Sequence, residues 1–138
     1  MPPPETTRAV ERRIHREHES TISAVSQCAD AVVAGWSTPH VSDRQAVVDP
    51  LRTRLEAAGV LESLPGVLID LVDAAGYDLP APPVAGPPYV VVTSRGPLLR
   101  GTIEPGRLVV RFDVFTLERA PNPVYRPLEE VDVSADVR

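Results

Sequence analysis

The sequence predicts an α+β fold, with about three N-terminal helices packed on a three- to four-stranded antiparallel β-meander. Three observations carry that prediction. Residues 89–118 read as three short strands joined by two tight turns, residues 6–35 repeat apolar side chains at helical spacing, and a proline-rich segment separates the two. The 138 residues suit one domain, divided into a helical half (5–76), a proline-rich connector (77–88), the meander (89–118), and a loop with an acidic tail (119–138).

Pro2, Pro3 and Pro4 read as a frayed end, and Thr6 or Thr7 as the N-cap of a long first helix running to about Gly35. Ile14, His18, Thr21, Val25, Cys28 and Val32 recur at alternating spacings of four and three, and Ile22, Ala29 and Trp36 widen this stripe. Arg12, Arg13, Arg16, Glu17 and Glu19 fill the opposite side, which gives an amphipathic helix. Ser42 to Gln45 fits a capping box for a second helix that buries Val47, Leu51 and Leu55, reaches Ala58 and stops at Gly59. Pro50 implies a kink or a restart inside it. A third helix over 61–75 places Leu64, Leu68, Leu71 and Val72 on one side and ends at Gly76; Pro65 fits it only within a first turn. Residues 78–88 hold five prolines and read as an extended structural strap.

In the meander, Tyr89 to Ser94 is a β-branched run, and Arg107 to Glu118 carries the longest alternating pattern of the chain. Two-residue loops at Arg95-Gly96 and Pro105-Gly106 place Val90, Val92, Leu99, Gly101, Ile103, Leu108, Val110 and Phe112 on one core-facing side. The other side then carries Tyr89, Val91, Arg100, Thr102, Val109, Arg111 and Asp113, with Arg100 directly opposite Arg111. Such a like-charge pair calls for a carboxylate or bound anion between its members. Asp113 and solvent are the plainer way to satisfy it. After the meander, residues 120–127 read as a loop crossing the sheet, and Val131 and Val133 as a short edge strand or part of a disordered tail.

Charge is distributed unevenly. Residues 89–127 hold 6 Arg and 3 acids, whereas the last eleven residues hold 1 Arg and 4 acids. An acidic tail folding onto a basic sheet would bring Glu129 or Glu130 to Arg100 and Arg111. All 14 basic residues are arginine, lysine is absent, and Asn122 is the sole asparagine. With a net charge of −5, this composition resembles that of small haloarchaeal proteins of uncharacterised families, and an actinobacterial source fits it too. The resemblance is one of composition and implies no catalytic residues.

One cysteine, Cys28, excludes an internal disulfide and suits a reducing cytoplasm. The chain has no apolar run of the ~20 residues a membrane span needs, and its N-terminus lacks the apolar stretch of a signal peptide. A cytoplasmic location with no membrane partner is the expectation.

The first helix holds the only residues with metal-ligand spacing: Glu11, His15 and His18, with Glu19 beside them. They could hold a divalent ion, but no partner cluster appears elsewhere, and a charged helix flank is the plainer reading. Cys28, on the apolar stripe, reads as a small buried hydrophobe. Neither a nucleophile elbow nor a phosphate-binding glycine loop is present, so the sequence points away from an enzyme and calls for no cofactor. Three helices and a hairpin resemble a winged helix-turn-helix, yet the third helix has three acids and no basic residue for a DNA groove. The expected role is a non-catalytic protein-interaction or regulatory module. Its partner would be another protein or a second copy bound through the first helix. Nucleic-acid or anion binding through Tyr89, Arg100 and Arg111 is the alternative, and metal binding by the first helix the next.

Overall fold

The apolar stripe of the first helix is continuous, but its backbone is not. In the computed structural model, which describes residues 4–119 and 121–138, the stripe is carried by two helices, α1 (Pro4–Glu17) and α2 (Glu19–Ala34). The expectation for Pro2 and Pro3 lies outside the described residues. Ile14, Val25, Cys28, Ala29 and Val32 are buried, as the spacing predicts, and Val10 extends the buried side beyond it. The interruption falls at His18 (φ −124°, ψ 27°), whose Nε2 lies 2.6 Å from Asp70 Oδ2.

Arg13 grips the same carboxylate in bidentate fashion, its Nε and Nη2 each 2.8 Å from an oxygen. Arg13 first, and His18 after it, hold the Asp70 carboxyl down at about 2. An ionised Asp70 only accepts, so His18 donates through Nε2. A carboxyl lowered in the folded state stabilises fully above its unfolded value near 3.8, and the contribution fades as pH falls towards 2. Because both side chains are partly exposed, the contribution is about 1–2 kcal/mol. Asp70→Asn is therefore expected to lower stability by about that amount at pH 7. It should also flatten the decline between pH 4 and 2, read by urea titration at each pH.

Asp43, rather than Ser42, opens α3 (Gln45–Ala57): its Oδ1 accepts the Gln45 N–H at 3.0 Å. Val47, Val48, Leu51 and Leu55 are buried along it. α4 (Val60–Ala74) follows and buries Leu64, Leu68, Leu71 and Val72. Pro50 and Pro65 both lie past the first turn of their helices, so each removes one intrahelical hydrogen bond without ending the helix. The end of α4 is built by Gly76, in the left-handed region at φ 85°. Its N–H donates to Asp73 O and that of Tyr77 to Val72 O, the paired bonds of a Schellman motif.

The strap then turns back beside α4. An added Cβ on Gly101 would lie 2.8 Å from Leu79 Cδ2 and 3.6 Å from Leu68, so Leu79 of the strap sits between α4 and the sheet. The sheet has four antiparallel strands in the order β1 (Val90–Val92), β2 (Pro97–Ile103), β3 (Gly106–Glu118), β4 (Val124–Val137). The α+β class is as the sequence predicts, with four helices instead of three.

Both hairpins differ in register from the sequence reading, and by two residues. Leu99 pairs with Val90 and Val110, and Gly101 with Leu108, so the second loop is Glu104-Pro105. Because side chains alternate with period two, a two-residue slip changes cross-strand partners but leaves every side chain on its own face. The predicted core face is therefore intact, with Val90, Val92, Leu99, Ile103, Leu108, Val110 and Phe112 all buried. The acidic tail is neither disordered nor a short strand. It forms the 14-residue β4, whose Val133, Ala135 and Val137 lie opposite Phe112, Val110 and Leu108. Trp36 closes one end of the core against Phe115, with ring centroids 5.6 Å apart.

Candidate functional site

The helices and strap pack on one face of the sheet, and the other face carries Tyr89, Arg100 and Arg111, the anion-binding candidates of the sequence. The observed register places Leu98 opposite Arg111, Arg100 opposite Val109, and Thr102 opposite Arg107. Arg100 and Arg111 thus share this face but sit diagonally, which removes the direct like-charge pair. Tyr89 lies beside Arg100, whose N–H donates to the Tyr89 carbonyl at 2.8 Å. Val91 pairs with Leu98 and completes an apolar strip next to the arginines.

Val109 is 3% exposed, yet it stands apart from the continuous hydrophobic core. Arg100 lies directly opposite it, and arginine stems can cover apolar surface. Arg100 Nε is sealed from solvent and has no hydrogen-bond partner among the described residues. An unpaired buried donor of this kind costs about 1–3 kcal/mol. Among the described residues Arg100 makes no ion pair, and its half-buried guanidinium is enclosed at Nε by packing.

β4 adds acids that the sequence reading did not place here. Asp136 lies opposite Val109, Ser134 opposite Arg111, and Asp132 opposite Asp113. Burial pushes the Asp113 carboxyl above its ordinary value, Arg111 and Arg95 pull it back, and Asp132 pushes it further up. Glu129 and Glu130, the acids expected to meet Arg100 and Arg111, are exposed, and the ion pairs of this region are Arg126–Glu118 and Arg138–Asp136. The tail joins the sheet edgewise and leaves the arginine face uncovered.

Asp113 was read on this face from the sequence, but Arg95 was missed, because the loop between β1 and β2 folds down onto β3. The Arg95 carbonyl accepts from both Val114 and Phe115, at 2.7 and 3.0 Å, where the pairing of β3 with β4 shifts register. Thr93, Ser94, Arg95, Leu98, Arg111 and Asp113 thereby line a notch of about 330 Å³ at one end of the face. The one sequence signal for it is the Thr-Ser-Arg-Gly turn, which specifies a loop but not its docking.

The three residues with metal-ligand spacing have separate engagements. Glu11 Oε1 accepts the Ala135 N–H at 3.2 Å, His18 pairs with Asp70, and His15 is exposed. Among the described residues, no group of three or more His, Cys, Asp or Glu side chains is placed to hold a metal ion. Cys28 is buried, and burial pushes its thiol up, away from the thiolate that a nucleophile needs. Among the described residues, no helix is long and apolar enough to cross a membrane.

Residues 8–138 match the family model described as "Domain of unknown function (DUF7988)". No curated protein and no solved structure matches the chain.

Proposed function

The chain belongs to the DUF7988 family, and from that premise we propose that it is a non-catalytic interaction module whose uncovered sheet face docks a carboxylate-bearing segment of another protein. The observation that carries this reading is Arg100, whose Nε is buried and unbonded among the described residues, set beside the apolar Val91 and Leu98. An arginine held by packing is preorganised for a planar carboxylate, and apolar neighbours exclude water around such a pair. The face also carries Asp113, Asp132 and Asp136 among its arginines. Alternating signs suit a protein surface with its own mixed charges, whereas a nucleic-acid backbone favours a face of one sign. This favours a protein over nucleic acid. The Lys-free acidic composition supports a haloarchaeal source, and the single Cys28 a cytoplasmic setting, as parts of the same reading.

The test is affinity capture from the source cell's extract with the wild-type chain and with Arg100→Glu/Arg111→Glu, after nuclease treatment. Circular dichroism first establishes that the variant is folded. Proteins retained by the wild type and lost by the variant are the expected result. Equal retention by both chains, or capture that nuclease abolishes, would overturn the proposal. A second copy as the partner would appear in light scattering as a dimer that the double variant dissociates.

A further inference from the structure

On the helical side of the molecule, away from the arginine face, the strap does not lie flat on α4. Between them runs a surface groove of about 550 Å³, lined by Gly66, Ile69, Asp73, Tyr77, Asp78 and Pro83 among others. Among the described residues, the two large hydrophobic side chains classed as exposed are Ile69, at 50%, and Val84, at 59%. Ile69 lines the groove, and Val84 directly follows its lining residue Pro83. A single exposed hydrophobic needs no explanation by itself, but Ile69 stands in a groove whose other lining is largely acidic and proline-rich.

Gly66 adds a second observation. It lies inside α4, one turn before Ile69, where glycine disfavours the helix. Its backbone φ is not positive, and an added Cβ would meet nothing within 4 Å. Folding therefore makes no demand for glycine at this position. What its missing side chain does is leave open space in the groove beside Ile69.

The polar groups around the groove mostly accept. Asp73 and Asp78 are exposed carboxylates with no ion pair among the described residues, while the nearby Arg13 is committed to Asp70. Pro80, Pro82 and Pro83 contribute carbonyls but no N–H. An occupant must supply donors, positive charge and a small apolar surface together.

We propose that this groove is a docking site for an extended peptide segment that carries arginine or lysine next to aliphatic residues. Ile69 takes an aliphatic side chain, Asp73 and Asp78 take the cation, and the space beside Gly66 admits the peptide backbone. The site is independent of the arginine face.

The probe is a short labelled peptide alternating leucine, arginine and proline, with a glutamate-for-arginine version as control, titrated into the full-length chain. Saturable binding of the arginine peptide alone is expected, with amide NMR shifts at Ile69, Asp73 and Tyr77. Asp73→Asn/Asp78→Asn is expected to weaken it by roughly tenfold, as two exposed ion pairs would. Gly66→Leu is expected to raise Tm, because leucine favours helix, and yet to abolish binding by filling the groove. Arg100→Glu/Arg111→Glu is expected to leave it unchanged, which separates this site from the sheet face. The proposal is overturned if the glutamate peptide binds equally, if the shifts map to the sheet, if Gly66→Leu keeps full affinity, or if free arginine amide binds as tightly as the peptide.

Discussion

Gly96→Ala is expected to lower stability by more than about 3 kcal/mol, roughly 10 °C or more in Tm for a chain of this size. The added Cβ would lie 1.9 Å from the carbonyl oxygen of Phe112 and 3.1 Å from its carbonyl carbon. Both are backbone atoms at the centre of β3 and cannot rotate away as a side chain can. Gly96 also has φ 151°, which a residue with a Cβ adopts only under strain. Relief requires lifting the loop off β3, which breaks the two bonds accepted by the Arg95 carbonyl and opens the notch beside Arg111. Thermal unfolding checks the magnitude, and Gly66→Ala is the matched control. At Gly66 the same added methyl meets nothing, and a gain of about 0.5–1 kcal/mol is expected. Equal effects at the two glycines would mean that the loop does not dock as described.

Deleting residues 128–138 is expected to abolish cooperative folding altogether. An acidic tail beside a basic sheet invites the idea of a removable mask, and on that idea the shortened chain would stay folded with its arginines bared. β4 makes a different prediction. Its removal uncovers Leu108, Val110 and Phe112, each 0% exposed, strips their partners Val137, Ala135 and Val133, and leaves Glu11 without the Ala135 N–H. Each fully buried aliphatic side chain contributes about 1.5–3 kcal/mol, against a total stability of only about 5–15 kcal/mol. Loss of the near-ultraviolet dichroism of Trp36 and of a calorimetric transition is the expected result. A shortened chain that melts cooperatively would show β4 to be an appendage.

The sequence made the two faces of the sheet legible but not the pairing. Alternation assigned Val90, Leu99, Val110 and Phe112 to the core because face membership survives a two-residue slip. An L-Pro-Gly turn does not fix which residues close a hairpin, so the partners of Arg100 and Arg111 could not be read. The apolar stripe of the first helix was equally plain, whereas its break at His18 depends on Asp70, 52 residues away. β4 was present as a pattern all along: Val131, Val133, Ala135 and Val137 alternate with Asp132, Ser134 and Asp136. The density of acids made the same stretch read as a tail. The notch and the groove were invisible for a shared reason. Each forms where a loop or strap returns to a distant element, and local residue pattern carries no record of that return.

The hydrogen bond from Ala135 to Glu11 has a consequence for how partners can bind. Ala135 and Val110 are opposite each other, but the bonded pairs of this ladder alternate from Arg107 and Arg138, so the Ala135 N–H points away from β3. It faces the rim where another chain could add a strand, and the Glu11 carboxylate occupies it. At the far end of the same rim, Val41 exchanges both backbone bonds with Tyr125. Between these two plugs lie Pro127, which has no N–H to offer, and the charges of Glu129 and Glu130. β1, the opposite rim, is three residues long. These plugs, the proline and the charges hinder β-augmentation and templated stacking along the long side of the sheet. Recognition is left to side chains on broad surfaces, where specificity is set residue by residue rather than by main-chain pairing.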